Sequence, residues 1–213
     1  MAQLFNNKFR ILSARLQNRN YANEAMYFVT ICTKNRENYF GEIVDTPNEE
    51  TQCIPSLKPT EIGKMAHSEW FKSVEMRPDM NLELGEFVVM PNHIHGIIII
   101  GKNEFNTQPD TQHRDAMHCV STNANDTEFK NQFAPQSKNL SSIIRGYKSA
   151  VTTYARKNGI EFDWQPRFHD HIIRSMDDYH RISNYIINNP AKWQDDKFYN
   201  APNVETQCIA SLR

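Results

Sequence analysis

His93-Ile94-His95 is the first place in this sequence where residue types and spacing could do chemistry. A strand sends residues two apart to one face, so both imidazoles aim at one point and can share a divalent cation. Taken alone, the pair reads equally well as two hydrogen-bonded histidines on an edge strand. Tyr185 and Asn189 extend the pattern. They stand four apart near the end of a helix, one above the other, with Pro190 as the stop. An Asn side-chain oxygen suits Mg²⁺ or Mn²⁺ beside two imidazoles and leaves positions open for phosphate oxygens and water. A tyrosine hydroxyl, with a pKa of about 10, is a poor nucleophile unless something favours its phenolate. A cation that polarises a phosphodiester makes attack by such a group feasible. Tyr179, Ile182 and Ile186 already supply that helix with an apolar stripe, so packing does not require Tyr185.

The elements that must hold these residues follow from periodicity. Residues 27–32 form a strand by their β-branched and aromatic content. Thr60 can cap a helix reaching Met76, with Ile62, Met65, Ala66, Trp70 and Val74 on one face and Pro78 beyond it. Strands at 82–90 and 94–100 are divided at Pro91-Asn92. Leu140, Ile143, Ile144, Tyr147, Val151 and Tyr154 make a second amphipathic helix, with Arg145, Lys148, Thr152 and Arg156 on another face. Residues 164–174 read as a fourth strand, and Ser175 with Asp178 opens a third helix. The expected fold is α+β and ferredoxin-like: a β-α-β-β-α-β antiparallel sheet with helices on one face, plus a C-terminal helix carrying Tyr185.

Four segments, PNHIHGIII, LSSIIRGYKS, WQPRFHDHIIR and YIINNPAKW, together and in this order resemble the HUH single-tyrosine transposases, and most closely the REP-associated tyrosine transposases of bacteria. The resemblance runs from about Tyr27 to Trp193, insertions excluded. It implies that His93, His95 and Asn189 hold the divalent metal and that Tyr185 attacks a DNA phosphodiester. The implied products are a 5′-phosphotyrosine link and a free 3′-OH, and the implied substrate is single-stranded or hairpin DNA. Relatives from insertion sequences often carry Gln where Asn189 stands and often act as dimers, so the expected assembly is a monomer or a homodimer. Histidine-triad nucleotide hydrolases would need a third alternating histidine, and position 97 is Ile. An RNA-recognition module would need exposed aromatics on its central strands, where Ile97, Ile98 and Ile99 stand instead. Two other readings stay open: a non-catalytic DNA-binding protein or repressor of the same fold, and a metal phosphoesterase that uses water.

Charge distribution fits a nucleic-acid partner better than charge totals do. The chain has 213 residues, with 24 Lys+Arg against 25 Asp+Glu, a balance that by itself argues against such a partner. Yet Arg145 and Lys148 on one helix, Trp164, Arg167 and Phe168 at a strand opening, and Lys34 with Arg36 after the first strand interleave cations with aromatics. That combination tracks a single-stranded backbone and stacks bases, although each residue taken singly reads more readily as a solvated or packed side chain, and Trp164 in particular as core. Lys8, Arg10, Arg15 and Arg19 form a basic arm that is either a solvated lead-in or a phosphate contact. The longest aliphatic run is too short for a bilayer, and the polar start lacks a signal-peptide core, so the expected location is cytoplasmic.

One domain is expected over 1–199, with loop insertions at 44–58 and 102–138 and a flexible tail at 200–213. The insertions share a history. ETQCIPSL at 50–57 and ETQCIASL at 205–212 are near-identical, too short to be a folding repeat. The codons available for RDAMHCVST at 114–122, reverse-complemented and shifted by one base, can encode VETQCIASL at 204–212. The inserts therefore read as translated copies of one short, partly palindromic DNA element. Three of the 4 cysteines lie in them, so cysteine number reports on DNA history rather than redox chemistry.

Overall fold

The computed structural model describes residues 4–5, 8–9, 20–47, 53–107 and 137–199. The basic arm at Arg10, Arg15 and Arg19, most of the 102–138 insertion and the tail from 200 lie outside these residues; Lys8 sits in a two-residue ladder, Leu4–Phe5 with Lys8–Phe9. The central sheet has four antiparallel strands: β1 (Ala25–Cys32), β4 (Leu82–Met90), β5 (His93–Ile100) and β6 (His169–Ile173). They lie side by side in the order β4, β5, β1, β6. A separate ribbon pairs β2 (Gly41–Pro47) with β3 (Cys53–Pro59). Among the described residues three α-helices complete the fold: α1 (Glu61–Glu75), α2 (Leu140–Lys157) and α3 (Met176–Ile187).

Strand alternation divides the core into two layers. Tyr27, Val29 and Ile31 of β1, with Ile94, Ile98 and Ile100 of β5, pack against Ile62, Ala66 and Trp70 of α1 and Ile143, Ile144 and Val151 of α2. The other face carries Met26, Phe28, Ile97 and Ile99, covered by Tyr179, Ile182 and Ile186 of α3. α3 is therefore a second layer on the opposite face, and not merely an extension of the first. This explains the run Ile97 to Ile100, because a central strand covered on both sides cannot alternate apolar with polar.

Local chemistry sets the helix starts. The Thr60 hydroxyl accepts from the Gly63 amide at 3.2 Å, Asn139 and Ser142 cap α2 reciprocally, and Ser175 accepts from the Asp178 amide at 3.1 Å. The fourth strand is shorter than expected, because Arg167 adopts a left-handed φ of 69° and Trp164 makes only an isolated bridge to Thr33. Residues 44–58, expected as a loop, fall mainly in the β2–β3 ribbon, whose Pro47, Pro55 and Pro59 mask its strand character.

Gly96 admits the largest core side chain. A Cβ there would lie 2.4 Å from Trp70 Cζ2, and Trp70 stacks on Phe87 with ring centroids 4.6 Å apart. Gly96→Ala is therefore expected to destabilise the protein by about 1–3 kcal/mol through forced displacement of the indole. A urea midpoint unchanged from the parent would remove this account of the glycine.

Candidate active site

The site lies on the α3 face, where β1, β5 and the segment after α3 meet. Antiparallel register sets Thr30 opposite His95 and Cys32 opposite His93. α3 ends at Ile187, and Asn189 continues its spiral with φ −60° and ψ −43° before a 3-10 helix at Pro190–Asp195. That short helix brings Asp196 and Phe198 back over the histidines.

Both imidazoles are buried and their Nε2 atoms are 3.1 Å apart. The Asn92 amide nitrogen donates to the carbonyls of Arg36, at 3.1 Å, and Phe198, at 2.8 Å. Its oxygen is thereby left to accept from His93 Nδ1–H at 2.9 Å. Burial, with Arg36 and Lys197 nearby, pushes His93 down to about 3, so the ring is neutral and its Nε2 presents a lone pair. His95 is lowered in the same way, first by burial and then by His93. Its Nδ1 lies 2.9 Å from Thr30 Oγ1, which can accept a hydrogen bond from Nδ1–H and turn the second Nε2 lone pair toward the same point.

Three more groups close on that point. The Tyr185 hydroxyl is 3.2 Å from His95 Nε2, on a side chain 42% exposed. Its ring meets Phe28 edge-on, centroids 6.1 Å apart. Burial and then the Asp196 carboxylate raise the phenol above its ordinary pKa, with the Asn189 side chain acting in the opposite direction. Ligand atoms of His93, His95 and Asp196 all lie within 4.8 Å of one another. The Asn189 amide nitrogen donates to Asp196 Oδ2 at 3.2 Å, while its oxygen is buried without a partner among the described residues.

This donor set fits a divalent cation. Two buried imidazoles present their Nε2 atoms to each other at 3.1 Å, an amide oxygen is buried without a partner among the described residues, and one carboxylate supplies negative charge. Two nitrogen and two oxygen donors match Mn²⁺ better than Mg²⁺, which prefers oxygen. Asp196 had no periodic or motif signal, because it follows a proline in a short turn. Asn92 stood in the PNHIHGIII segment, and Thr30 became legible only through register.

No family model matches the chain. A protein of Haemophilus influenzae (strain ATCC 51907 / DSM 11121 / KW20 / Rd), described only as uncharacterized, is 35% identical over 192 residues, which is 88% of this chain and 92% of that protein. The chain belongs to that protein's family. Among solved structures, a REP-associated tyrosine transposase bound to a REP hairpin is similar at a TM-score of 0.48 and 19% identity, over 84% of this chain and 74% of the other. A candidate transposase from Deinococcus radiodurans R1 is similar at a TM-score of 0.34 and 14% identity, over 82% of this chain and 97% of the other.

The residues expected to touch DNA fall into two groups. Arg145 and Arg167 are exposed. Lys34 pairs with Asp163 at 2.8 Å, and Arg36 lies 4.8 Å over the Phe198 ring while donating to the Lys197 carbonyl. Lys34, Asn35, Arg36, Gln165 and Pro166 line a cleft of about 320 Å³. Trp164 and Lys148 require correction. Trp164 is 8% exposed, packed among Phe40, Tyr147 and Phe162, so no base can stack on it where it stands. Lys148 donates to the carbonyls of Gln165, at 2.7 Å, and Arg167, at 2.8 Å, and burial lowers it to about 8. Both brace the Gln165 to Arg167 turn. Among the described residues no helix is long and apolar enough to cross a membrane.

The histidines also set a pH dependence. Between about pH 3 and 6.5 the unfolded chain binds a proton at His93 that the folded chain excludes. Stability of the chelator-treated protein is thus expected to fall as pH is lowered through that window, by up to about 1.4 kcal/mol per pH unit for each such group. His93→Gln should flatten the slope. Urea unfolding across the window tests this, and equal slopes in parent and variant would contradict it.

Proposed function

We propose that this protein is a metal-dependent, tyrosine-nucleophile DNA endonuclease and strand transferase of the HUH type, related to the REP-associated tyrosine transposases and acting on single-stranded hairpins. The observation that carries the reading is the convergence of Tyr185 Oη, the two Nε2 atoms, the Asp196 carboxylate and the unpartnered Asn189 oxygen at one half-open point. The strand order β4, β5, β1, β6, with α1 and α2 on one face, supports a ferredoxin-like assignment and one domain over 1–199.

His93, His95 and Asn189 would hold the cation, with Asp196 as a further oxygen donor. When bound, it supplies positive charge that polarises the scissile phosphate and offsets Asp196 beside the phenol. Thr30 and Asn92 orient the imidazoles. Tyr185 Oη forms the bond to phosphorus, the bond from phosphorus to the 3′ oxygen breaks, and that oxygen takes a proton from water and leaves as a free 3′-OH. The phenolic proton departs on the solvent side, and a 3′-OH attacking the phosphotyrosine reverses the sequence. Arg36, Arg145 and Arg167, with Lys34, would contact the phosphate backbone.

The test is incubation of a labelled DNA hairpin with the full chain and Mn²⁺ or Mg²⁺. The expected result is a denaturation-resistant protein–DNA adduct that requires the metal. Cleavage without any adduct, or an adduct formed equally in EDTA, would overturn the reading.

A further inference from the structure

The repeated peptides at 50–57, 114–122 and 204–212 supply none of the candidate site residues, and the described residues that flank two of them come together in the fold. The β2–β3 ribbon begins and ends at one place: Gly41 pairs with Pro59, and the Thr60 amide donates to the Phe40 carbonyl at 3.0 Å. The chain could run from Phe40 to Thr60 without the ribbon. The ends of the second excursion also meet, since Lys138 lies 4.9 Å over the Phe105 ring and pairs with Asp79. Insertions at such points, where the flanking segments already contact each other, are tolerated by a fold. The third copy lies beyond the last described residue.

The genetic code makes the relation between the copies stricter than amino-acid similarity does. The string AGAGACGCAATGCATTGCGTCTCT equals its own reverse complement. Read from its first base it encodes Arg-Asp-Ala-Met-His-Cys-Val-Ser, which is Arg114 to Ser121. Read from its second base it encodes Glu-Thr-Gln-Cys-Ile-Ala-Ser and the start of Leu, which is Glu205 to Leu212. One base change, GCG to CCG, then gives Pro55 and the copy at Glu50 to Leu57. One DNA palindrome can thus encode the two unlike peptides in two frames. A protein-level linker motif would have no reason to satisfy both frames.

We propose that this gene carries three copies of one self-complementary DNA element, accepted where the fold tolerates insertion, and that the protein binds the folded single strand of that element, so that its own coding sequence is a target. The proposal rests on the reading above for the type of site, and it names the ligand. A self-complementary single strand folds back into a stem whose flanks remain unpaired. An unpaired flank is what a partly exposed tyrosine, together with a cleft lined by Lys34 and Arg36, can take.

The gene sequence is the first test. Each of the three segments should carry this string, with single-base departures at most, and unrelated codons in the segments at 114–122 and 204–212 would end the proposal. The second test is competition binding of the full chain to a hairpin of this string with natural flanks, against a hairpin of equal length and composition with a permuted stem. At least about tenfold preference for the element is expected, as for several mismatched positions. Equal binding overturns the proposal even if both hairpins form a Tyr185 adduct, in which case the enzymatic reading stands. Preferential binding with no adduct on either hairpin supports the proposal and overturns the enzymatic reading.

Discussion

Tyr185→Phe is expected to abolish the protein–DNA adduct, with strand cleavage falling on the order of 10⁴-fold or more, as for loss of a nucleophile from a site whose other parts remain. The substitution removes one atom. The Phe ring keeps the edge-on contact with Phe28 and the contact with His95, whose centroid lies 5.2 Å away. The lost hydroxyl has water on one side, since the side chain is 42% exposed. Stability should therefore change by less than about 1 kcal/mol. Mn²⁺ affinity should survive, because none of the four candidate donors is touched. This separates the tyrosine from the water mechanism: if water were the nucleophile, Tyr185→Phe would cut at close to the parent rate. Denaturing electrophoresis of labelled hairpin, with single-turnover cleavage rates, decides it. An adduct that persists in the variant refutes the assignment of Tyr185.

Why Tyr185 was visible in the sequence while Asp196 was not follows from the kind of order each depends on. α3 is periodic. Ile182 and Ile186 claim one stripe, so a tyrosine off that stripe, ahead of a helix stop, stands out. His93 and His95 stand out because alternation sends both to one face of a strand. Asp196 acts through a 3-10 turn after Pro190, and an acidic pair in such a turn has no period to distinguish it from surface charge. The same limit explains Trp164 and Lys148. Cations interleaved with aromatics describe a stacking surface and also a buried brace, and only packing separates them: the Lys148 ammonium faces carbonyls, and the Trp164 indole donates to the Lys148 carbonyl at 3.1 Å. The ribbon was illegible for another reason. Pro47, Pro55 and Pro59 interrupt the alternation by which a strand is recognised.

His95→Ala should show the largest effect on metal. His95 Nε2 is the hub of the site, 3.1 Å from His93 Nε2 and 3.2 Å from the Tyr185 hydroxyl. Its removal leaves His93, Asn189 and Asp196, with a single imidazole among the three remaining candidate donors. Mn²⁺ affinity is expected to fall more than about 100-fold, beyond the 10- to 100-fold range typical of losing only a partner that orients a ligand. Thr30→Val provides that comparison, since it keeps every donor and removes only the oxygen facing His95 Nδ1. Its loss should stay within about 10- to 100-fold. Asn189→Ala separates the two interpretations of the unpartnered oxygen. If that oxygen is a ligand, the variant loses Mn²⁺ affinity and adduct formation together. If it only braces Asp196 through its amide nitrogen, Asn189→Asp should restore neither less nor more than Asn189→Ala does, whereas a ligand position should recover binding with a carboxylate oxygen in place of the amide. Titration of free Mn²⁺ by its paramagnetic resonance signal reads affinity without turnover. Parent-like affinity in His95→Ala would overturn the metal site itself, and the imidazole pair would then be a buried hydrogen bond in which His95 Nε2–H donates to His93.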